Sequence, residues 1–446
     1  MTSAVLNNAP AYHNASRAQV GWKFWLPTVL ILLAVVIPDF AIVNVLQAAG
    51  VELESNLLAS MATENSLSEK LFLFCLLGLG GVGGWLLMGA GETTAKRGSI
   101  PLWMMLGMFG LAVSSLIWTA DIAITFRRLV VAGLFVLGCW GIGKAWSTID
   151  LVRMVLWLSA TFAITGIAAE IIYRSFLSAG GYRFSGFLHP NQQALSCGLF
   201  VLAAITMKTC TGKWMYWGLA LLAYSLLLLT GSRGGALACA GAVAFYFVLA
   251  TPAPRRVAWF LLAGLLLGGG LLYLALEPAG ARKLEVLAKM GRNDPQADPK
   301  SLTGRLPIWS QIVSDIKERP ALGYGYAAYW TPERVHRLSY IHDWEFSNAH
   351  SSYLEVTLAL GVVGFGWGLV TAFAVFGRGL RLYAAEPDWG LLFVLSVFVM
   401  AGVSGLIESS FVAVGYEFIV WLTGAFMIAY HPSRPVQAGP VVRGQA

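Results

Sequence analysis

The feature that most constrains this chain is a succession of apolar stretches, each long enough to cross a lipid bilayer, separated by polar loops. A helix needs roughly 20 apolar residues to cross about 30 Å of hydrocarbon. About twelve such runs occur, centred near Ala34, Gly80, Gly110, Val136, Phe162, Phe200, Leu221, Val243, Leu265, Gly364, Leu395 and Phe418. Composition agrees: of 446 residues 57% are apolar and 12% charged, against about 25% charged in soluble domains. A soluble core could not enclose so much apolar surface, so lipid must cover a large part of it. The predicted fold class is all-α, a polytopic membrane helix bundle of about 12 transmembrane helices with one long outer loop containing an amphipathic helix. Glycines inside the runs, as in "LLGLGGVGGWLL" and "LLAGLLLGGGLL", suit close helix packing in lipid.

The formal net charge of +7 does not mark a nucleic-acid binder, because the basic residues are dispersed in ones and twos between apolar runs. Such dispersal encodes topology. With the N-terminus in the cytoplasm, Lys144, Arg153, Lys208, Lys213, Arg378 and Arg381, among others, fall inside. The opposite short loops hold Lys70, Arg127, Arg128, Arg174, Arg183 and Arg233. Both termini are predicted cytoplasmic. The expected organisation is a cytoplasmic N-terminal segment (1–24), transmembrane helices 1–9 (25–276), a long loop on the outer side (277–348), which the resemblance given below makes periplasmic, transmembrane helices 10–12 (349–430) and a cytoplasmic tail (431–446). The first apolar run lacks the short core and small-residue cleavage site of a signal peptide, so it is expected to be retained. The five cysteines lie in or beside apolar runs without a CxxC pair, and indicate neither metal nor disulfide.

The long loop begins with a polar, proline-containing segment, "GRNDPQADPKS", expected to be flexible. Beyond it Leu306, Ile308, Trp309, Ile312, Val313 and Ile316 recur at helical spacing until Pro320. That pattern predicts an amphipathic helix lying on the outer membrane surface.

Polar residues held in or against a bilayer are costly and are candidates for function. Four clusters fall on the outer side. In "YRFSGFLHPNQQA", Arg183 and His189 precede Asn191, which can cap the sixth span, whose first-turn amides could bind an anion. In "LLLLTGSRGGALA", Ser232 and Arg233 interrupt a nearly continuous apolar run. The two glycines after them imply close packing, and the guanidinium can fork onto phosphate or merely snorkel to headgroups. Arg305 sits just before the loop helix, a second possible anion site or an ordinary basic helix start. In "FSNAHSSYLEVTLALGVVG", Asn348, His350, Tyr353 and Glu355 open the tenth span. His350 and Glu355, five residues apart, do not share a helical face. Glu408 adds a carboxylate between the last two spans, where it could simply pair with an arginine. Arginines and histidines on one side suit phosphate charge and a proton taken from a nucleophile. The outer side lacks the dense Asp/Glu/His set of a catalytic metal site.

With these residues in place the chain resembles the O-antigen ligase and polymerase superfamily, bacterial membrane glycosyltransferases of GT-C type. The resemblance rests on "HPNQQA" at 189–194, "GSRGG" at 231–235, "TGRLPIW" at 303–309 with "RPALGYGY" at 319–326, and "NAHSSYLEVTLALGVVG" at 348–364, in that order. It implies transfer of a glycan from an undecaprenyl-diphosphate carrier to a hydroxyl on the periplasmic face of the bacterial inner membrane, without metal, nucleotide sugar or other cofactor. By the same resemblance Arg233 and Arg305 hold the donor diphosphate and His350 is catalytic, as general base or orienter of the acceptor. Arg183, His189, Asn191, Ser232, Asn348, Tyr353, Glu355 and Glu408 are then secondary substrate contacts. Ser351 stands where the family often has Asn after the histidine, which bears on the acceptor side. The acceptor is expected to be lipid A core, as in a ligase, or a growing polysaccharide, as in an O-antigen or exopolysaccharide polymerase. Relatives that glycosylate proteins usually carry extra C-terminal sequence. A transporter or flippase for a lipid-linked solute would use the same arginines without chemistry. It would, however, place them near the midplane and commonly show an inverted repeat, and no repeat is apparent.

Overall fold

The computed structural model describes residues 21–39, 66–89, 99–172, 176–177, 182–186, 188–251, 305–342, 348–410, 412–413 and 415–431. The expected ninth span near Leu265, the first part of the long loop and the chain's two end segments, apart from residues 21–24 and 431, lie outside them. Among the described residues all regular structure is helical. The helices are α1 (Trp22–Asp39), α2 (Ser66–Gly89), α3 (Ile100–Ser114), α4 (Ile122–Ala145), α5 (Thr148–Ile172), α6 (Pro190–Thr211), α7 (Met215–Leu229) and α8 (Arg233–Ala250). They continue with α9 (Arg305–Glu318), α10 (Pro332–His342), α11 (Ser352–Ala385), α12 (Trp389–Ser404) and α13 (Tyr416–Tyr430). Seven of them are long and apolar enough to cross a membrane, and α1, α7, α12 and α13 are shorter apolar helices. Each of these eleven contains one of the expected span centres. The protein is a membrane-embedded helix bundle.

The bundle is organised around α6, which is apolar on all sides and buried from Gln193 to Met207. A helix hydrophobic all round belongs in an interior, and α5, α7, α8 and α12 enclose it. Elsewhere α2 and α4 meet backbone to backbone, because a Cβ on Gly83 would lie 2.3 Å from the Leu137 carbonyl oxygen. Outward-facing side chains such as Phe74, Met88 and Phe126 are largely exposed, which in lipid carries no penalty.

Two parts of the long loop fold onto the bundle. Helix α9 forms where its apolar spacing predicts, and part of its apolar face turns onto protein while Leu306 and Val313 stay exposed. Ile308 and Ile312 are buried in a small core with Tyr324, Tyr329, Trp330, Leu338, Ala349 and Leu358. Burying each isoleucine is worth about 1.5–3 kcal/mol, and the loop itself supplies the cover. Part of that cover is α10, which was not anticipated. Its start has a recognisable signature in "TPE", with Pro332 at the first helical position and the Thr331 hydroxyl accepting from the Arg334 amide at 3.3 Å.

The connecting segment 320–327 docks into a break in α11. Gly361 there takes φ +65° and ψ −168°, outside helical geometry. The freed backbone groups are bonded by the loop: Leu358 and Ala359 carbonyls accept from the Tyr324 and Gly325 amides at 2.9 and 3.0 Å, and the Val362 amide donates to the Pro320 carbonyl at 2.8 Å. From the other side Trp118 Nε1 donates to the Leu322 carbonyl at 2.9 Å and Arg128 to that of Ala327. Backbone polar groups at a helix break need such partners.

Candidate active site at one end of the bundle

The site is built where α5, α12 and α7 end and α6, α8, α11 and α13 begin. Residues 182–186 are held there by Glu170, near the end of α5. Its carboxylate accepts the Ser185 and Gly186 amides, each at 2.9 Å, and the Tyr182 hydroxyl. Phe184 is fully buried, and its amide donates to the Leu229 carbonyl at 2.9 Å. This anchoring aims Arg183 across the bundle end. Its Nε donates to the Thr230 carbonyl at 2.8 Å and its Nη2 to Asn191 Oδ1 at 2.9 Å.

From Asn191 the chain of polar contacts continues. Asn191 Nδ2 donates to Glu408 Oε1 at 2.8 Å, and Arg305 Nη2 pairs with the same oxygen at 2.6 Å. Glu408 Oε2 stands 3.8 Å from His350 Nδ1. Arg305 and Glu408 have side chains only 11% and 10% exposed, so this is a buried ion pair. Burial by itself raises the Glu408 pKa. The hydrogen-bonding and charge influence of His350 and the guanidinium of Arg305 outweigh it, and the carboxyl is held below its ordinary value. Arg305 Nε is buried with no acceptor among the described residues, which leaves the guanidinium a donor to offer an incoming anion.

His350 is seated by two strands of contacts. Its backbone lies in the left-handed region, φ +47°, a conformation that costs a non-glycine residue of order 1–3 kcal/mol and clusters at functional sites. The Asn348 side chain supports it by accepting the His350 amide at 2.9 Å and the Ser409 hydroxyl at 3.3 Å. The following serines fasten the same segment to the turn after α12. The Ser351 amide donates to Ser409 Oγ at 3.1 Å, and Ser352 donates its amide to the Gly405 carbonyl at 2.9 Å and its hydroxyl to that of Glu408, also at 2.9 Å. The Ser351 hydroxyl adds a bond to the Gly405 carbonyl at 3.3 Å.

Ser232 is the N-cap of α8, its hydroxyl accepting from the Gly235 amide at 3.3 Å. Arg233 opens that helix. The neighbouring glycines pack as their sequence suggests: a Cβ on Gly234 would lie 2.0 Å from Ile407 Cδ1, and one on Gly235 2.6 Å from Ala194 Cβ. Helix α8 is therefore locked beside the turn that carries Glu408.

Two expectations change. Asn191 does not cap α6; His189 does, its Nδ1 accepting the Asn191 amide at 3.3 Å, because Pro190 takes the first helical position. This releases the Asn191 side chain to bridge Arg183 and Glu408. His189 has a lowered pKa, from desolvation at the crowded bundle end and the charges of Arg183 and Arg305, against the pull of Glu408. Tyr353 and Glu355 point elsewhere. Tyr353 donates to the Gly402 carbonyl at 2.8 Å, and Glu355 accepts Trp330 Nε1 at 3.1 Å and the Ala349 amide. Glu355 thereby braces the residue before His350. Glu170 was not singled out in the sequence, although a lone carboxylate near the end of an apolar span is the kind of signal that marks such a residue.

A polytopic helical membrane protein with a cation-rich polar network at one bundle end is the class that fold and geometry define. Residues 217–367 match a family model described as O-antigen ligase. The matched stretch contains Arg233, Arg305 and His350, whereas Arg183, Asn191 and Glu408 lie outside it. The exopolysaccharide production protein ExoQ of Rhizobium meliloti strain 1021 is 29% identical over 271 residues, covering 55% of this chain and 60% of that relative. The chain thus spans about three fifths of the length of the curated relative it matches. Both findings are likenesses to proteins of the O-antigen ligase and polysaccharide-producing kind.

Proposed function

We propose that this protein is a membrane glycosyltransferase of the bacterial inner membrane. It moves a glycan from an undecaprenyl-diphosphate carrier to a hydroxyl acceptor on the periplasmic face. The observation that carries the reading is the gathering of Arg183, Arg305, His350 and Glu408 at one bundle end, beside the start of α8 and Arg233, rather than at the midplane where a transporter would bind its solute. Arg233 and Arg305 bind the carrier diphosphate and stabilise the charge that develops on it as it leaves, without a metal. His350 accepts the proton of the acceptor hydroxyl. Arg183 and His189 line the approach, and Asn191, Ser232 and Asn348 hold that end in shape.

The acceptor in this reading is lipid A core, as the O-antigen ligase description of the family suggests. A second reading, extension of a polysaccharide, is favoured by the similarity to a protein named for exopolysaccharide production. Chemical analysis of a deletion strain separates them. Carrier-linked polymer accumulating with none on lipid A marks a ligase, whereas accumulation of single repeat units marks a polymerase. Unchanged glycans in every fraction would overturn both. The sidedness has its own test: a cysteine replacing exposed Arg337 on α10 should react with a membrane-impermeant thiol reagent in cells whose outer membrane is permeabilised. Labelling only after disruption of the inner membrane would invert the topology.

A further inference from the structure

Glu408 faces three partners at once, and their arrangement is unequal. Oε1 receives both strong donors, Arg305 Nη2 at 2.6 Å and Asn191 Nδ2 at 2.8 Å, while Oε2 stands 3.8 Å from His350 Nδ1. The backbone of Glu408 is pinned as well. Its amide donates to the Ser404 carbonyl at 2.8 Å, and its carbonyl accepts from both the amide and the hydroxyl of Ser352, at 3.1 and 2.9 Å. Carboxylate and imidazole therefore sit on two segments tied together within two residues of each group. A carboxylate needed only as counter-ion to Arg305 would not have to face an imidazole held in a strained backbone conformation.

We propose that Glu408 is a positioning residue for glycan transfer, aiming the imidazole of His350 and stabilising the charge it acquires when it takes the acceptor's proton. The inference rests on the function proposed above and assigns Glu408 a role other than substrate contact. Nδ1 is the ring nitrogen that faces Glu408, 3.8 Å from Oε2, so Nε2 is assigned the acceptor's proton and Nδ1–H turns to the carboxylate as the ring charges. The acceptor hydroxyl proton passes to Nε2 and the acceptor oxygen bonds to the sugar's anomeric carbon. The bond from that carbon to the diphosphate oxygen breaks, with its electron pair leaving on the lipid diphosphate. Glu408 stays ionised throughout and faces an imidazolium. The same carboxylate offsets the charge of Arg305, so removing its charge leaves Arg305 more attractive to phosphate. One substitution should then lower turnover without weakening the binding of the carrier, a pair of effects that a loss of structure cannot produce.

The test uses the full-length protein in nanodiscs as wild type, His350→Ala, Glu408→Gln and Glu408→Asp. Transfer is measured from carrier-linked glycan extracted from a deletion strain, and binding with undecaprenyl diphosphate. Glu408→Gln should lower kcat by about 10- to 100-fold, less than the loss of the acid–base group itself, with KM for the carrier-linked glycan and Kd for undecaprenyl diphosphate unchanged or lower. Glu408→Asp should recover part of the rate. A Glu408→Gln rate within about 3-fold of wild type, or a loss of rate accompanied by weaker binding and no recovery in the aspartate variant, overturns the inference. Should Glu408→Gln fail to accumulate, Glu408→Asp decides, since an unchanged kcat there also overturns it. A wild type that transfers nothing, or an active His350→Ala, would instead sink the function proposed above. An active wild type and inactive His350→Ala beside a fully active Glu408→Gln would remove only the role of Glu408.

Discussion

At the end of the bundle where α6, α8 and α11 begin, several charged side chains join one polar network besides their bonds to backbone. Arg183 reaches Asn191, Asn191 and Arg305 reach Glu408, and Glu408 faces His350. At the opposite end they bond mostly to backbone or to near neighbours, although Asp388 also accepts from the distant Thr148 hydroxyl at 3.1 Å. Lys144 donates to the Leu87 carbonyl at 3.1 Å, and Arg378 to those of Ile428 and His431 at 2.9 and 2.8 Å. Asp388 caps the Leu391 amide at 3.0 Å, and Arg153 pairs with Asp150 one helical turn away at 3.3 Å. The second pattern completes helix ends, whose last carbonyls and first amides lack partners. The first contributes little to that. Burying a paired charge gains little stability over an apolar pair, so a network of them from segments far apart in the chain is better explained by a ligand than by the fold.

The largest effect expected of this contrast is on activity. His350→Ala should lower glycan transfer by about 10²- to 10⁴-fold with protein accumulating at the wild-type level, as read from polymer in a complemented deletion strain. Full activity would break the comparison at its centre. Next comes a matched pair of arginines. Arg233→Lys should reduce transfer by about 10- to 100-fold, because an ammonium cannot fork onto a phosphate. Arg378→Lys should stay within about 3-fold, since a lysine still donates to helix-end carbonyls. Equal losses in both would erase the distinction between the ends.

Smaller effects fall on stability. Gly361→Ala would put a Cβ 2.1 Å from the Ala321 carbonyl oxygen at a residue with φ +65°, and should destabilise by about 2–4 kcal/mol in a detergent melt. An unchanged melting temperature would show that the loop does not dock at the break in α11. The depressed pKa of Glu408 gives a signed expectation. Its ion pair should stabilise the protein fully above the ordinary glutamate pKa of about 4.3 and lose that contribution as pH falls through the lower folded value. The melting difference between wild type and Glu408→Gln should thus be present at neutral pH and shrink as the pH falls below about 4.3. A difference that stays unchanged well into acid would contradict the assignment. Least of all, Arg153→Ala should cost about 0–1 kcal/mol, since this half-buried pair one helical turn apart is still open to solvent.

Much of this contrast can be traced to particular residues in the sequence. Arg183, His189, Arg233, Arg305 and His350 stand out because charged and polar groups beside long apolar runs are few, and the apolar stripe from Leu306 to Ile316 is legible as a helix. What covers that stripe is not legible, because Ile308 and Ile312 would suit lipid as well as they suit Tyr329 and Trp330. Glu170 escaped notice because its partners are backbone amides of a loop, which leave no trace in side-chain pattern.

By itself the sequence determined the span centres, the all-helical class and the short motifs, since run length, helical spacing and glycine placement are properties of neighbouring residues. Tertiary structure alone decided that Asn191 bridges rather than caps and that Ile308 and Ile312 of α9 pack on protein. It also made Glu408 the meeting point of residues 217 and 103 positions away. Such contacts depend on how helices pack and where a break such as Gly361 lets a loop enter, and no local pattern carries that information.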